Sequence, residues 1–190
     1  MKTLLLNCTL IVILFVSCKK EENKTTTTFT PTTTIGDSYQ GGKIAYILQA
    51  GDLGYDANVS HGLIAAVSDL GQATWGCTGT TILGADDGNI GTGAQNTLDI
   101  MNDCGTAGIA ARLCGDLVLG GYSDWYLPSS LELNMLYLNK LAIGGFSNGG
   151  YWSSTEYGSN QAWFIPFGYE VTNYFASKNL PFSVRAVRAF

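Results

Sequence analysis

The chain has 190 residues, with ten cations, fifteen acids and a formal charge of −5, and only 13% of its residues are charged against 24 Gly, 10 Tyr and 4 Trp. From residue 35 onward six cations (Lys43, Arg112, Lys140, Lys178, Arg185, Arg188) face thirteen acids, which argues against nucleic acid and other polyanions and leaves only a local patch at Arg185 and Arg188. That stretch suits one domain with a real core, rich in turns and aromatic residues.

Residues 1–17 read as a signal peptide. Lys2 precedes an apolar run, Leu4–Leu6 and Leu10–Val16, too short to span a bilayer, and a small residue, Ser17, comes before Cys18. Phe15-Val16-Ser17-Cys18 resembles the bacterial lipobox, which would make Cys18 the lipid-bearing first residue of the mature chain; the alternative is an ordinary cleaved signal with an incidental Cys. Residues 18–34 then carry a charged run, Lys19 to Lys24, and a Thr-rich run with too little apolar surface to offset the entropy of ordering it, so they are expected to be a disordered tether. Lys19-Lys20-Glu21-Glu22 resembles the signal that sends lipoproteins of Bacteroidota-type bacteria to the outer face of the outer membrane. The expected location is that membrane, lipid-anchored, on the cell surface or on the periplasmic face. The domain proper is expected over residues 35–190.

Lys43–Leu48 reads as a strand stopped by Gly51 to Gly54, and His61–Val67 as its hairpin partner across a long loop. His61 is the only His, with no ligand-spaced companion, and is read as a strand-edge residue making a hydrogen bond. Gln72–Gly93 is almost all turn chemistry. Asp86, Asp87 and Asn89 could offer oxygens to calcium, but they lack the spaced carboxylates and distal Glu of a calcium loop, so an Asx-rich turn is the favoured reading. Gly91-Thr92-Gly93 lacks the glycine spacing of a nucleotide loop. No metal and no cofactor is assigned.

Two helices are predicted next, over 94–102 with Ala94, Leu98 and Met101 on one face, and over about 107–118 with Ile109, Leu113 and Leu117 in a stripe. Gly120-Gly121 ends the second. Outside the signal and Cys18, three cysteines remain. Cys114 falls on the apolar face of the second helix and is expected to stay reduced, whereas Cys77 and Cys104 lie in turn-rich sequence and are expected to pair.

Ser123–Ser154 is the densest stretch. Trp125, Tyr126 and Leu127 lead to Pro128, which forces extended geometry on Leu127. Ser129 can then cap a helix while Glu132 reaches back to its amide, a capping box. The helix is expected from Ser130 to about Leu141, burying Leu133, Leu136, Tyr137 and Leu141, with Gly144-Gly145 as its end. Strands are predicted at 151–154, 161–167, 170–175 and 182–188 as an antiparallel meander, with a bulge or an open edge at Pro166.

Four blocks of this region, Asp124–Ser129 with Glu132-Leu133, Tyr151–Glu156, Ala162-Trp163 and Val184–Arg188, resemble in order the pattern of the DUF1566 family, also named after the C-terminal domain of a Legionella collagen-like protein. The resemblance implies an α+β domain related in layout to C-type-lectin-like folds, with an antiparallel sheet, two to three helices and long loops, found in surface lipoproteins and adhesin-like proteins. It supplies no catalytic set. Asp124, Trp125, Leu127, Pro128, Ser129, Glu132, Trp152, Trp163, Arg185 and Arg188 read as structural determinants of core and turns.

The function expected is non-catalytic binding of a glycan or of a host or envelope protein by a membrane-tethered domain. Tyr157, Asn160, Tyr169, Asn173 and Tyr174 are the candidate contacts, since aromatic faces stack on sugars and amides grip hydroxyls. A structural or assembly role in the envelope is the alternative. A hydrolase would have to use His61, Asp124 and Glu156, which are dispersed and follow no motif.

Overall fold

A computed structural model describes residues 33–169 and 174–190. The signal peptide, Cys18 and the tether through residue 32 lie outside the described residues, as does Asn173 with the three residues before it.

The domain is α+β. A first sheet contains β1 (Ser38–Tyr39), β2 (Gly42–Ile47), β3 (Gly62–Ala65) and β9 (Val187–Ala189) in the order β1-β2-β3-β9. β2 and β3 make the predicted hairpin, pairing Lys43 with Ala65 and Ile47 with Gly62 around a bulge between Ile44 and Tyr46. A second sheet contains β4 (Gln72–Ala73), β5 (Gly150–Gly158), β6 (Gln161–Pro166), β7 (Tyr174–Ser177) and β8 (Phe182–Ser183) in the order β4-β8-β5-β6-β7. Between the halves of the chain lie α1 (Gly93–Asp103), α2 (Ala110–Gly115), α3 (Ser130–Leu138) and α4 (Lys140–Ile143).

Both sheets are covered on two sides, and the alternation of the strands shows how. Ile64, Trp152, Ala162, Val184 and Ala186 pack with Ile100 of α1 and with Ala110, Ala111 and Cys114 of α2. The opposite faces, with Leu63, Ala65, Tyr151, Ile165 and Val187, pack with Leu133 and Leu136 of α3. Trp125, Leu127 and Trp152 are buried in the first of these cores, so they pack the sheets against α1 and α2 and not against the helix that Ser129 opens.

Several elements differ from expectation. The predicted C-terminal strand is two strands. β8 joins the second sheet, antiparallel to β4 and parallel to β5 through Tyr151 and Ser183. β9 crosses into the first sheet beside β3, so only β5, β6 and β7 form a meander. At the crossover Arg185 is buried. Its guanidinium donates to Asp69 Oδ1 at 2.7 Å, to the Ala66 carbonyl at 2.8 Å and to the Gly145 carbonyl, and it lies 4.0 Å over the Phe146 ring. The backbone groups of the crossover find new partners in the chain after β3: the Val184 amide donates to the Gly71 carbonyl at 3.0 Å, and the Val184 and Ala186 carbonyls accept from the Leu70 and Ala66 amides at 2.9 Å.

The buried side of α1 is Gly93, Asn96, Thr97 and Ile100, not the predicted Ala94, Leu98 and Met101; Leu98 is 54% exposed. Polar chemistry overrides periodicity here: Thr97 Oγ1 accepts from the Leu127 amide at 3.0 Å, and Asn96 Nδ2 donates to the Asp87 carbonyl at 2.7 Å. α2 is six residues long, shorter than expected, and Arg112 donates from it to the carbonyls of Met101 and Cys104 at the end of α1. The helix opened by Ser129 stops at Leu138. Asn139 turns aside to donate to the Ala45 carbonyl at 3.0 Å, and the short α4 that follows buries Ile143 and leaves Leu141 94% exposed. Gly144 and Gly145, with φ of 75° and 73°, end it. Pro166 is the last residue of an internal strand, opposite Gly150, and the register shifts lie on β5 between Trp152 and Gly158.

Candidate functional site

Ser129 and Glu132 form the expected capping box, with the Ser129 amide donating to Glu132 Oε2 at 2.8 Å. Glu132 does more than cap. Fully buried and without a cation among its hydrogen-bond partners, its Oε1 also accepts from the Gly91 amide at 2.9 Å and from Tyr126 Oη at 3.3 Å. Burial raises the Glu132 carboxyl above its ordinary range, and the hydrogen bonds from Ser129, Gly91 and Tyr126 pull it down. The Pro128 carbonyl accepts from the Ser154 amide at 2.8 Å. This network fixes the 87–92 turn against β5, and Asp87 Oδ1 accepts from both the amide and the side chain of Asn89. The Asx turn is therefore formed. Among the described residues no three His, Cys, Asp or Glu side chains gather as a metal-binding set.

The hydrolase trio does not come together. His61 Nδ1 lies 3.1 Å from the Phe190 carbonyl, the hydrogen bond expected of a strand-edge residue. Asp124 is held by Arg188 in a fork of two 2.8 Å bonds, and that contact holds its carboxyl below the usual range. The Arg188 guanidinium also lies 3.9 Å over Tyr122. Glu156 is buried against Lys178, whose Nζ donates to it and to the Thr80 carbonyl and sits 4.4 Å over the Trp75 ring. His61 and Asp124 border different cavities.

The Lys178–Glu156 pair was not foreseen as structural. It holds the Trp75–Ile82 segment to the second sheet, with the Ile82 amide on Glu156 Oε1 at 3.0 Å. The same segment carries the Cys77–Cys104 disulfide, and Cys114 is free and buried, both as expected. Gly76 cannot be another residue at φ 107°, since a Cβ there would lie 2.7 Å from Ile109.

The predicted contact residues divide. Tyr157, 52% exposed, leaves the end of β5, and its ring stacks on Phe175 at 4.1 Å and 3°. Trp163 stands nearly perpendicular to both rings, at 5.4 Å from Tyr157 and 5.9 Å from Phe175. Asn160 is exposed in the adjoining β5–β6 turn. Strand alternation explains the cluster: Trp163 pairs with Phe175 on the face that carries Ile165, beyond the part of the sheet that α3 covers. Tyr174 is exposed on the opposite face, 6.0 Å from Phe164. Tyr169 is exposed elsewhere, its carbonyl accepting from Tyr137 Oη at 3.0 Å. The site is thus Tyr157, Trp163 and Phe175 with Asn160 at its rim. Trp163 is half-buried and belongs to it, although the sequence marked it as structural. Phe175 lies inside the strand predicted at 170–175 but was not picked, because the candidate contacts were taken from residues in or beside turns; its pairing across from Trp163 brings it into the cluster.

A cleft of about 630 Å³ lies apart from this face, between Asp52 and Leu53 on one side and Asp87, Asn89 and Thr92 on the other. Its polar atoms largely hold the loops themselves: Asp52 Oδ2 accepts from Tyr46 Oη at 2.8 Å, and Thr92 Oγ1 donates to the carbonyls of Asp87 and Asn89.

Compared with known proteins, the chain matches no family model and no curated sequence. In structure it is similar to a fimbrial protein from Bacteroides ovatus ATCC 8483, with a TM-score of 0.50 and 14% identity over 83% of this chain and 45% of that one. Such identity speaks for the fold alone, and this chain spans less than half of the other's length.

Proposed function

We propose that this chain is a non-catalytic binding domain of the bacterial envelope, lipid-anchored through Cys18, whose ligand is a glycan held on the Tyr157–Trp163–Phe175 face. The observation that carries the reading is the exposed aromatic cluster, three rings held rigid by mutual contact where the sheet emerges from its covering helix. Aromatic rings present a flat apolar surface to the C–H face of a sugar, and Asn160 at the rim can bond hydroxyls. The likeness to a fimbrial protein and the lipobox-like Phe15–Cys18 support a place at the outer membrane and cell surface, and the resemblance to DUF1566 domains supports a lectin-like layout.

Glycan-array binding by the full chain tests the ligand. Tyr157→Ala and Asn160→Ala should lose the signal; Asn160→Ala, exposed in a turn, should leave the melting temperature within a degree or two, and Tyr157→Ala should cost only about 1 kcal/mol for its lost stacking, too little to unfold the domain. No glycan bound, or binding unchanged by both substitutions, sinks the reading. Metabolic labelling with palmitate tests the anchor: Cys18→Ser should abolish incorporation.

A further inference from the structure

The loop between β2 and β3 meets the 87–92 turn where Leu53 lies on Gly91. A Cβ on Gly91 would come 2.9 Å from the Leu53 Cβ, so only glycine, here at φ 90°, admits the contact. Leu53 is nonetheless 66% exposed, and a chamber opens on each side of it.

One chamber is the cleft of about 630 Å³. The other, of about 250 Å³, is walled by Leu48, Leu63, Ala94 and Phe190, with Leu53 shared between the two. Its polar side chains are already engaged: Tyr126 Oη donates to Glu132 and His61 Nδ1 to the Phe190 carbonyl. What it offers is hydrocarbon. The larger chamber offers negative charge. The side-chain bonds that hold the loops fall on Oδ2 of Asp52 and on Oδ1 of Asp87, so the second oxygen of each carboxylate accepts nothing among the described residues. No lysine or arginine lines either chamber.

We propose that the two chambers form one site for a cationic amphiphile, a small amine whose hydrocarbon group fills the apolar chamber and whose ammonium reaches past Leu53 to the carboxylates of Asp52 and Asp87. Charge and apolar lining together select this occupant. An anion would meet two carboxylates and no cation. A bare metal ion would lack ligands, since among the described residues no three His, Cys, Asp or Glu side chains gather as a set. A neutral sugar would set hydroxyls against hydrocarbon and leave the carboxylates without a counter-charge. An ammonium donates three hydrogen bonds, which the free carboxylate oxygens accept. Both walls are held before anything binds, one by the Gly91 amide on Glu132 and the other by Tyr46 Oη on Asp52, so the ligand need not order them. The site goes beyond the glycan reading, and neither depends on the other.

Titration of the full chain with phenylbutylamine, read by NMR at the amides of Leu53, Gly91 and Ala94, tests it, with phenylbutyrate and phenylbutanol as the anionic and neutral controls of similar shape. The amine should shift all three amides to saturation, more weakly as salt is added, and phenylbutyrate should not. Asp52→Asn and Asp87→Asn keep the oxygens that hold the loops; each should weaken the amine about threefold and leave phenylbutanol unchanged. Leu53→Ser, at an exposed position, removes the shared apolar wall and should weaken amine and alcohol alike, by about fivefold. Amides that do not move with the amine, or that move equally with phenylbutyrate, overturn the proposal. So does amine binding that both Asn variants and Leu53→Ser leave unchanged. Calcium chloride shifting Gly91 where the amine does not assigns the cleft to a bare cation, and a lysine–phenylalanine dipeptide binding where the amine does not assigns it to a polypeptide partner; either result overturns the proposal.

Discussion

At the scale of single residues, two carboxylates pull stability in opposite directions with pH. Burial raises Glu132, so the folded chain holds its proton more tightly than the unfolded one. Its contribution is fully present below the ordinary carboxyl pKa and is lost as pH rises through the raised value. Glu132→Gln should remove that loss. It should also cost about 1 to 3 kcal/mol on the acid side, because the amide NH₂ would meet the Ser129 or Gly91 amide with no acceptor between them. Urea titrations from the acid range to neutrality check both, and parallel pH profiles in parent and variant would acquit Glu132. Asp124 has the opposite sign. Its hydrogen bonds from Arg188 hold it low, so its contribution is present above the ordinary pKa and disappears as pH falls through the depressed one. The capping box was legible because it is local, two residues three apart. The donors from Gly91 and Tyr126 were not, since nothing in the spacing says that a turn 41 residues away will face Glu132.

Among the elements, the Trp75–Ile82 segment is held by two different devices, and their sizes differ. The Cys77–Cys104 bridge closes a loop with a sequence separation of 27, and its replacement by two serines should cost about 3 to 4 kcal/mol in chemical denaturation. Lys178→Ala leaves Glu156 buried without its cation, which costs about 3 to 5 kcal/mol. Replacing both by Met and Leu should recover only part of that, because it removes the uncompensated charge but leaves the Ile82 amide and the Thr80 carbonyl without partners. If the double replacement is as unstable as Lys178→Ala, the pair is worth more than its desolvation. Trp125→Ala should cost about 3 to 5 kcal/mol, as expected for a large side chain removed from a packed core. A folded, equally stable variant would move Trp125 out of the core. Elements were legible where local chemistry decides them: the β2–β3 hairpin, the Ser129 cap, the paired cysteines. They were misread where a tertiary hydrogen bond outweighs periodicity. Asn96 and Thr97 rotate α1 away from its Leu98 stripe, and Asn139 breaks a helix that the leucine pattern would carry to Leu141.

For the whole molecule, class was readable from the residues and sheet membership was not. A run such as Phe182–Arg188 reads as one strand because its apolar residues alternate from Phe182 to Ala186; the adjacent Ala186 and Val187, where the chain enters β9, break that alternation. The candidate site was half legible for the same reason. Exposed turn aromatics can be picked by type, but which of them share a face depends on register, and register separated Tyr174 from Tyr157 and drew in Phe175. The crossover also has a kinetic side. β3 is finished only when Leu63 meets Ala189, so the first sheet waits for almost the last residues of the chain to be made. A nascent polypeptide that lacks them has two open cores and nothing to seal either. Ribosome-stalled chains ending before Ser183 should therefore be cut by protease throughout, and those that include Phe190 should be protected. A domain whose first sheet closes last stays open until those residues are made, the state that export through a channel, as proposed above, would require.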